Sequence, residues 1–228
     1  SYISKHQFER MAVIADLHIH SRFSRACSSQ ITTSNLEKYA RIKGIDLLGT
    51  GDFTHPLWNK ELKGHLKDDG SGILRTESGF RFMLTTEVAN IFTQGGKGRR
   101  VHNVLLAPSF DVVERINAEL LKRGRLDYDG RPMFGFSCAE LVRVMTDISD
   151  EIEVIPAHCW TPWFGVFGSE SGFDSLKDAF LEQEKNIHAI ETGMSSSPEM
   201  NWHIAELNDR SIVSFSDANS HHPYRIGR

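Results

Sequence analysis

Potential metal ligands recur along this chain where short apolar segments end. The motif DLHIH at 16–20 closes the first such segment, which begins at Met11. Each later segment is followed by a histidine or an acidic residue, or in one case contains one: Asp52 with His55, Glu87, His102, His158 and Asp217. A lone histidine is most often an ordinary core or surface residue. The recurrence at strand ends, rather than any single motif, therefore predicts a metal site.

The spacing inside the first motif suits metal binding. Residues two apart in a strand face the same side, so His18 and His20 are expected to point together from a buried strand over 11–15. Two imidazoles with a carboxylate close by suit a zinc- or manganese-class divalent ion. Asp16 is interpreted as a residue that supports the ligands. Cys159, next to His158, is interpreted as a buried thiol.

The apolar segments alternate with helical patterns, which predicts a mostly parallel α/β architecture in one domain over 1–228. Strands are expected at 11–15, 45–50, 81–92, 99–107, 152–157, 189–192 and 211–216. Helices are expected at 33–44, 109–123, 174–184 and 198–208, with a further helix after a capping box at 137–140. A distorted, TIM-like barrel explains the ligand pattern better than an open sheet, because a barrel brings the strand ends to one mouth.

Charge and cysteine content restrict the partners. The net charge of −4 argues against a nucleic-acid binder driven by bulk charge, so phosphate binding would depend on local patches. The best patch is 97–100, with Arg100 at its end, and Arg22 is the next candidate. Three cysteines without C-x-x-C spacing indicate a reducing compartment, for which the cytoplasm is the expected location. No apolar stretch approaches the roughly 20 residues of a membrane span.

An aromatic segment follows His158 directly. Residues 160–173 are rich in aromatic residues and glycine and are expected to form neither helix nor strand. Trp160, Trp163 and Phe164 are candidates for stacking an everted base beside a metal site. The alternative is a hydrophobic lid that packs on the barrel.

Taken together, these motifs resemble the polymerase and histidinol phosphatase (PHP) superfamily over 13–217. Three longer strings, GTGDFTHP at 49–56, HCWTPWF at 158–164 and FGSESGFD at 167–174, resemble its endonuclease Q branch. The resemblance implies a distorted barrel of seven β/α units. It also implies a DNA-repair endonuclease that cuts DNA on the 5′ side of deaminated bases and at abasic sites.

The same resemblance implies the ligand sets. One metal would be held by His18, His20, Glu87 and Asp217. A second would be held by Glu87, His102 and His158, with Asp52 and His55 at or around a third position. Two to three divalent ions are expected, zinc or manganese, with iron also compatible with these ligands. Glu87 is the best bridging ligand, because a carboxylate has two oxygens to share. Catalysis is expected to depend on Glu87, Asp217 and His20.

Three departures from the superfamily bear on these expectations. Asn219 stands where many members have histidine, with His221 and His222 nearby. The segment 24–27 offers no ligand histidine. Both changes weaken a third metal site. Endonuclease Q proteins also continue into a four-cysteine zinc module and a helical region, which are absent from this sequence, so the chain is interpreted as a catalytic part or a shortened relative.

Two other functions are compatible with the sequence. One is a phosphatase of the same superfamily that acts on a small phosphomonoester, which the acidic net charge favours. The other is a non-enzymatic module of a larger repair or replication protein. The intact set of six ligand residues disfavours the latter, while Asn219 leaves it open.

Overall fold

The computed structural model describes residues 13–218 and 222–227. Its strands are β1 (Ala15–Asp16), β2 (Leu47–Gly49), β3 (Leu74–Arg75), β4 (Arg81–Gln94), β5 (Lys97–Ala107), β6 (Met133–Phe134), β7 (Glu153–Pro156), β8 (Ala189–Glu191) and β9 (Ser211–Val213). Its helices are α1 (Thr33–Lys43), α2 (Pro56–His65), α3 (Phe110–Leu121), α4 (Cys138–Ile148), α5 (Leu176–Phe180) and α6 (Pro198–Asn201). Short 3₁₀ turns follow at Leu181–Asn186, Ala205–Leu207 and Pro223–Arg225.

Seven strands form one sheet whose central order is β1-β2-β4-β5-β7, with β3 and β6 attached to β4. The first three strands of this order pair in parallel, whereas β4–β5 and β5–β7 pair antiparallel. The prediction of a mostly parallel sheet is therefore wrong for its longest pairing. Gly95 and Gly96 both have positive φ angles, which a two-residue hairpin turn requires, so β4 returns directly as β5 without a helix between them.

The curled sheet is completed into a ring by backbone hydrogen bonds between loops. The parallel pair β8–β9 continues beyond β7, where the Cys159 N–H donates to the Glu191 carbonyl at 2.8 Å. On the other side, the His20 N–H donates to the Ala218 carbonyl at 3.1 Å. The fold is thus mixed α/β and consistent with a distorted barrel, although the β4–β5 hairpin interrupts a regular repeat of strand and helix.

Large buried side chains from the sheet and the surrounding helices form the core. Trp58, Phe53 and Phe82 are fully buried there. The Trp58 indole N–H also donates to the carbonyls of Thr50 and Gly51. This bond fixes the turn that carries Asp52, so core packing positions the mouth of the barrel.

Most helix ends agree with the capping signals. Thr32 caps α1, Gly44 ends it in the left-handed conformation, and Ser109 and Ser137 cap α3 and α4. Helix α2 was not predicted, and the predicted helix over 198–208 is a single turn followed by a 3₁₀ turn.

The predicted buried strand over 11–15 is wrong in its described part. Strand β1 has only two residues, and Val13 and Ile14 are exposed. Residues 11 and 12 lie outside the described residues. Among the described helices, none is long and apolar enough to cross a membrane.

Candidate metal centre

Four donor side chains converge at the mouth of the barrel. His18 and His20 follow β1, Glu87 lies in the middle of β4, and Asp217 follows β9. Each offers an atom within 4.8 Å of the others. His20 Nε2 lies 3.3 Å from both Glu87 Oε2 and Asp217 Oδ1, and His18 Nε2 lies 3.5 Å from Asp217 Oδ1. The histidines and Glu87 are buried, and Asp217 is partly exposed.

Glu87 also belongs to a second group of donors. Its Oε1 lies 2.8 Å from His102 Nδ1 and 3.2 Å from His158 Nε2. The two oxygens of one buried carboxylate therefore face different imidazoles. Such a carboxylate can be shared between two neighbouring cations.

Unpaired buried atoms test whether a metal fits the first group. His18 Nε2, His20 Nε2 and Asp217 Oδ1 are buried and have no hydrogen-bond partner among residues 13–218 and 222–227. Buried polar atoms normally have partners, because leaving them unpaired costs free energy. A divalent cation among these atoms would satisfy all three. Mixed imidazole and carboxylate donors are the set that zinc and manganese accept.

Two carboxylates orient the paired histidines. His18 Nδ1 is 2.8 Å from Glu191 Oε2, and His20 Nδ1 is 2.9 Å from Asp52 Oδ1. Each contact engages Nδ1 and leaves Nε2 free for a metal, the usual arrangement around metal-bound histidine. The structure thus brings Asp52 beside His20 and not into either donor group. Sequence reasoning missed Glu191, although it closes β8 just as Asp52 follows β2.

Three of these residues adopt a rare backbone conformation. Asp52, His158 and Asp217 have φ angles of 48°, 30° and 45°. Non-glycine residues pay an energetic cost for positive φ, and such residues cluster at functional sites. Here all three residues lie in the loops that surround the donor groups.

The charges in the cluster shift its pKa values. Burial alone would lower the pKa of His18, but the carboxylates of Glu191 and Glu87 outweigh it and raise this pKa well above its ordinary value. The pKa of His20 is raised likewise, against burial, by Asp52 and Asp217. The pKa of Glu87 is held well below its usual range because the imidazoles outweigh burial. Without metal, the neighbouring carboxylates therefore favour the protonated forms of His18 and His20.

A cavity of about 410 Å³ opens beside the two donor groups. Among its lining residues are His102, His158 and Asp217 from the donor groups, Trp163 and Phe164 from the aromatic loop, Met194 and Phe215 from the β8–β9 side, and Arg131. A larger cavity of about 790 Å³ lies between α2 and α3 and is not lined by the donors. The larger cavity is therefore not the candidate active site, because the donor side chains lie at the smaller one.

Arg131 is the second residue that sequence reasoning missed. Its Nη1 donates to Glu87 Oε2 at 2.9 Å, and its side chain is partly exposed to the cavity. It lies in the turn-rich segment between α3 and β6, where no apolar pattern distinguishes it. The contact between Arg131 and Glu87 joins residues that are far apart in the sequence, so no local sequence pattern predicts it.

The predicted substrate-binding residues separate into two groups. The structure brings Trp163 and Phe164 to the cavity, and Arg100 lies over the Trp163 ring at 5.0 Å. Trp160 instead stacks on Phe167, and its indole N–H donates to Asn201. Arg22 pairs with Glu61 and does not line the cavity.

Other predicted residues lie outside the two donor groups. His55 precedes α2 and stacks on Phe23 at 4.3 Å. His222 is exposed and stacks on Tyr224. Asn219 and His221 lie outside the described residues. Cys159 is a buried thiol, as predicted, and burial raises its pKa to about 12.

Solved structures of endonuclease Q are similar to this chain. No family model matches the chain. The lesion-specific endonuclease PfuEndoQ from Pyrococcus furiosus is 32% identical, with a TM-score of 0.82 over 95% of this chain. An endonuclease Q in complex with a 27-mer duplex substrate, with an abasic lesion at the active site, is 33% identical, with a TM-score of 0.83 over 95% of this chain. The predicted relationship to the PHP superfamily, close to endonuclease Q, is confirmed.

The matched proteins are longer than this chain. This chain spans 50% and 51% of the two endonuclease Q chains. An uncharacterized protein of Methanocaldococcus jannaschii is 36% identical over 169 residues, which are 74% of this chain and 19% of that protein. The chain thus spans about half, or less, of these three proteins, and it contains both donor groups.

Proposed function

We propose that this chain is the catalytic domain of a metal-dependent endonuclease that hydrolyses a DNA phosphodiester on the 5′ side of deaminated or damaged bases. One observation carries the proposal. Glu87 is shared between two groups of buried donors beside an aromatic-walled cavity, in a chain similar to a lesion-specific endonuclease. The activity and substrate of that endonuclease are thereby proposed for this chain as well.

The donor groups would hold two divalent ions, for which zinc and manganese are the preferred candidates. His18, His20 and Asp217 would bind the first, His102 and His158 the second, and Glu87 both. Bound ions would supply Lewis-acid stabilisation of the phosphate charge. Asp52 is proposed to orient His20 rather than to bind a third ion, because its oxygens already accept from His20, Ser21 and Ser24.

Arg131 is proposed to bind the phosphate. Its contact with Glu87 engages one of five N–H donors of the guanidinium. The rest of the group borders the cavity and can donate to a non-bridging phosphate oxygen. This assignment replaces Arg22, which is held by Glu61 away from the cavity.

The aromatic loop is proposed to contact a base. Trp163 is half-exposed at the cavity, and Arg100 covers one side of its ring. The rest of the ring can stack on a base that leaves the helix.

The free thiols of Cys27, Cys138 and Cys159 fit a protein of the reducing cytoplasm.

A cleavage assay on a denaturing gel tests the proposal. Labelled oligonucleotides carry one deoxyinosine or one abasic site, beside an undamaged twin, with manganese or zinc. Cleavage 5′ to the lesion by the wild-type chain, and none by Asp217→Asn, is expected. Equal cleavage of damaged and undamaged strands would show that the enzyme does not recognise the lesion. Hydrolysis of a phosphomonoester without cleavage of DNA would favour the phosphatase alternative.

A further inference from the structure

Two exposed apolar side chains stand at the cavity beside the metal centre. Trp163 is 49% exposed, and Met194 is 75% exposed. They belong to separate segments, the aromatic loop and the turn after β8, and both line the same cavity. We infer that Met194 inserts into the base stack of duplex DNA and fills the space left by the nucleotide that enters the cavity. This inference rests on the proposed function.

The size of the cavity requires the duplex to open. A volume of about 410 Å³ lies in the range of small-ligand sites. A nucleotide fits such a space, whereas a duplex, whose major groove alone is about 12 Å wide, does not. The donors beside this cavity are mostly buried. A nucleotide that has left the stack can enter the cavity and carry its phosphate to these donors.

Removing a nucleotide from the stack costs free energy and leaves a gap between its neighbours. Proteins that kink DNA frequently insert an apolar side chain, methionine included, between base steps, and such a side chain can occupy the gap. Methionine is long and flexible, and its thioether makes favourable contacts with aromatic rings. Its flanks are Gly193 and the serines at 195–197, so small residues surround a single long apolar side chain.

The turn that carries Met194 is fixed relative to the metal centre. Gly193 has a φ of +58°, and its carbonyl accepts from the Ser214 hydroxyl at 2.5 Å. The Thr192 N–H donates to the Val213 carbonyl at 2.9 Å. Glu191, at the base of the same turn, holds His18. Met194 thus lies on a hydrogen-bonded turn that begins beside Glu191, a residue that orients a metal ligand.

The surroundings favour nucleic acid over a protein partner. Arg100 beside Trp163, and Arg131 in the cavity, supply positive charge where a phosphate backbone would pass. A protein interface would require a contiguous apolar patch of several hundred Å². Two separated apolar side chains with arginine and serine neighbours instead fit DNA.

A fluorescence experiment tests insertion independently of cleavage. The 228-residue chain carries Asp217→Asn to block hydrolysis. The substrate is a duplex with one abasic site and 2-aminopurine as the neighbouring base, whose fluorescence rises when it unstacks or its partner is displaced. Met194→Ser is compared with Met194→Leu, which keeps the apolar bulk. The matched control is Met200→Ser, at a methionine that is 61% exposed on α6 and does not line the cavity.

We expect the change in fluorescence at saturating protein to fall at least twofold in Met194→Ser and to persist in Met194→Leu and Met200→Ser. In the active chain, Met194→Ser should lower kcat/KM about tenfold on the damaged duplex, and clearly less on the same damaged strand alone. An unchanged fluorescence response, or equal losses on duplex and single strand, would overturn the inference. If the wild-type chain unstacks the probe but cleaves no DNA, the proposed function fails while insertion stands.

Discussion

At the scale of single residues, the sequence indicates the donors but not the side chains that position them. His18, His20, Glu87, His102, His158 and Asp217 could be named because each lies in or just after an apolar segment. Glu191 has the same signal and was missed, since one acidic residue after a short strand is common. Arg131 has no such signal, because its contact with Glu87 depends on tertiary structure.

The carboxylates that orient the histidines should matter for metal affinity. We expect Glu191→Gln and Asp52→Asn each to lower metal affinity roughly 10–100-fold, the usual effect of removing a hydrogen-bonding partner of a ligand. Isothermal titration with zinc measures the affinity. Glu153→Gln is the matched control, since the Glu153 side chain pairs with the exposed His188, which lies in neither donor group. Unchanged zinc affinity in both variants would show that these carboxylates do not contribute to metal binding.

Arg131 should affect substrate binding more than metal content. We expect Arg131→Met to lower kcat/KM on a small phosphodiester about 100-fold, because a charge-assisted hydrogen bond to the phosphate is lost. Arg131→Lys should recover part of the loss, since it restores the charge without the planar group. Metal content, measured by mass spectrometry, should remain that of the wild type. Loss of metal in both variants would instead make Arg131 a structural partner of Glu87.

At the scale of elements, capping residues predicted helix positions well, while strand pairing could not be read from the chain. Ser109, Ser137 and Gly44 act locally, so their signals lie in the sequence itself. The antiparallel return of β4 as β5 depends on the glycine pair at 95–96, and no change from parallel to antiparallel pairing was predicted there. Helix α2 was missed because it buries only two apolar residues, Trp58 and Leu62, which is too few for a clear helical pattern.

The loop that carries Arg131 also requires glycine beside the metal centre. A Cβ added to Gly130 would lie 2.2 Å from both Asp52 Oδ2 and Ser24 Oγ. We expect Gly130→Ala to displace the Asp52 carboxylate and to lower stability by about 1–3 kcal/mol, the cost of overpacking. Gly135→Ala is the control on the same segment, since no described residue other than its chain neighbours lies within 4 Å of the added Cβ. Denaturant unfolding and zinc titration measure both effects, and wild-type values for Gly130→Ala would contradict this packing argument.

At the scale of the whole molecule, one buried carboxylate connects the first strand to the segments that follow the last strand. Asp16 accepts hydrogen bonds from the Ser216 N–H and hydroxyl and from the Gly227 N–H. It thereby joins β1 to the segment that carries Asp217. The sequence allowed Asp16 to be assigned a supporting role, but not this closure, which depends on residues 200 and 211 positions away.

Removing this carboxylate should loosen both the ring and the metal centre. We expect Asp16→Ala to destabilise the protein by about 2–4 kcal/mol, because buried donors lose their acceptor. Zinc affinity should also fall, since Asp217 directly follows Ser216. Thermal unfolding and metal titration measure the two effects. A loss of stability with unchanged affinity would show that Asp217 is positioned without Asp16.

The charge of the cluster predicts how metal and pH act together on the whole protein. Because the folded-state pKa values of His18 and His20 are raised, their protonation stabilises the metal-free protein below the unfolded value of about 6.5, and this stabilisation is lost as pH rises through the folded values. A metal needs the same nitrogens deprotonated, so its binding should release protons and strengthen with pH. We therefore expect the gain in Tm on adding zinc to increase from about pH 6 to about pH 8. Titration in two buffers of different ionisation enthalpy should show proton release in the wild-type chain and less in His20→Ala, whereas a pH-independent gain in Tm would mean that metal and protons do not share these sites.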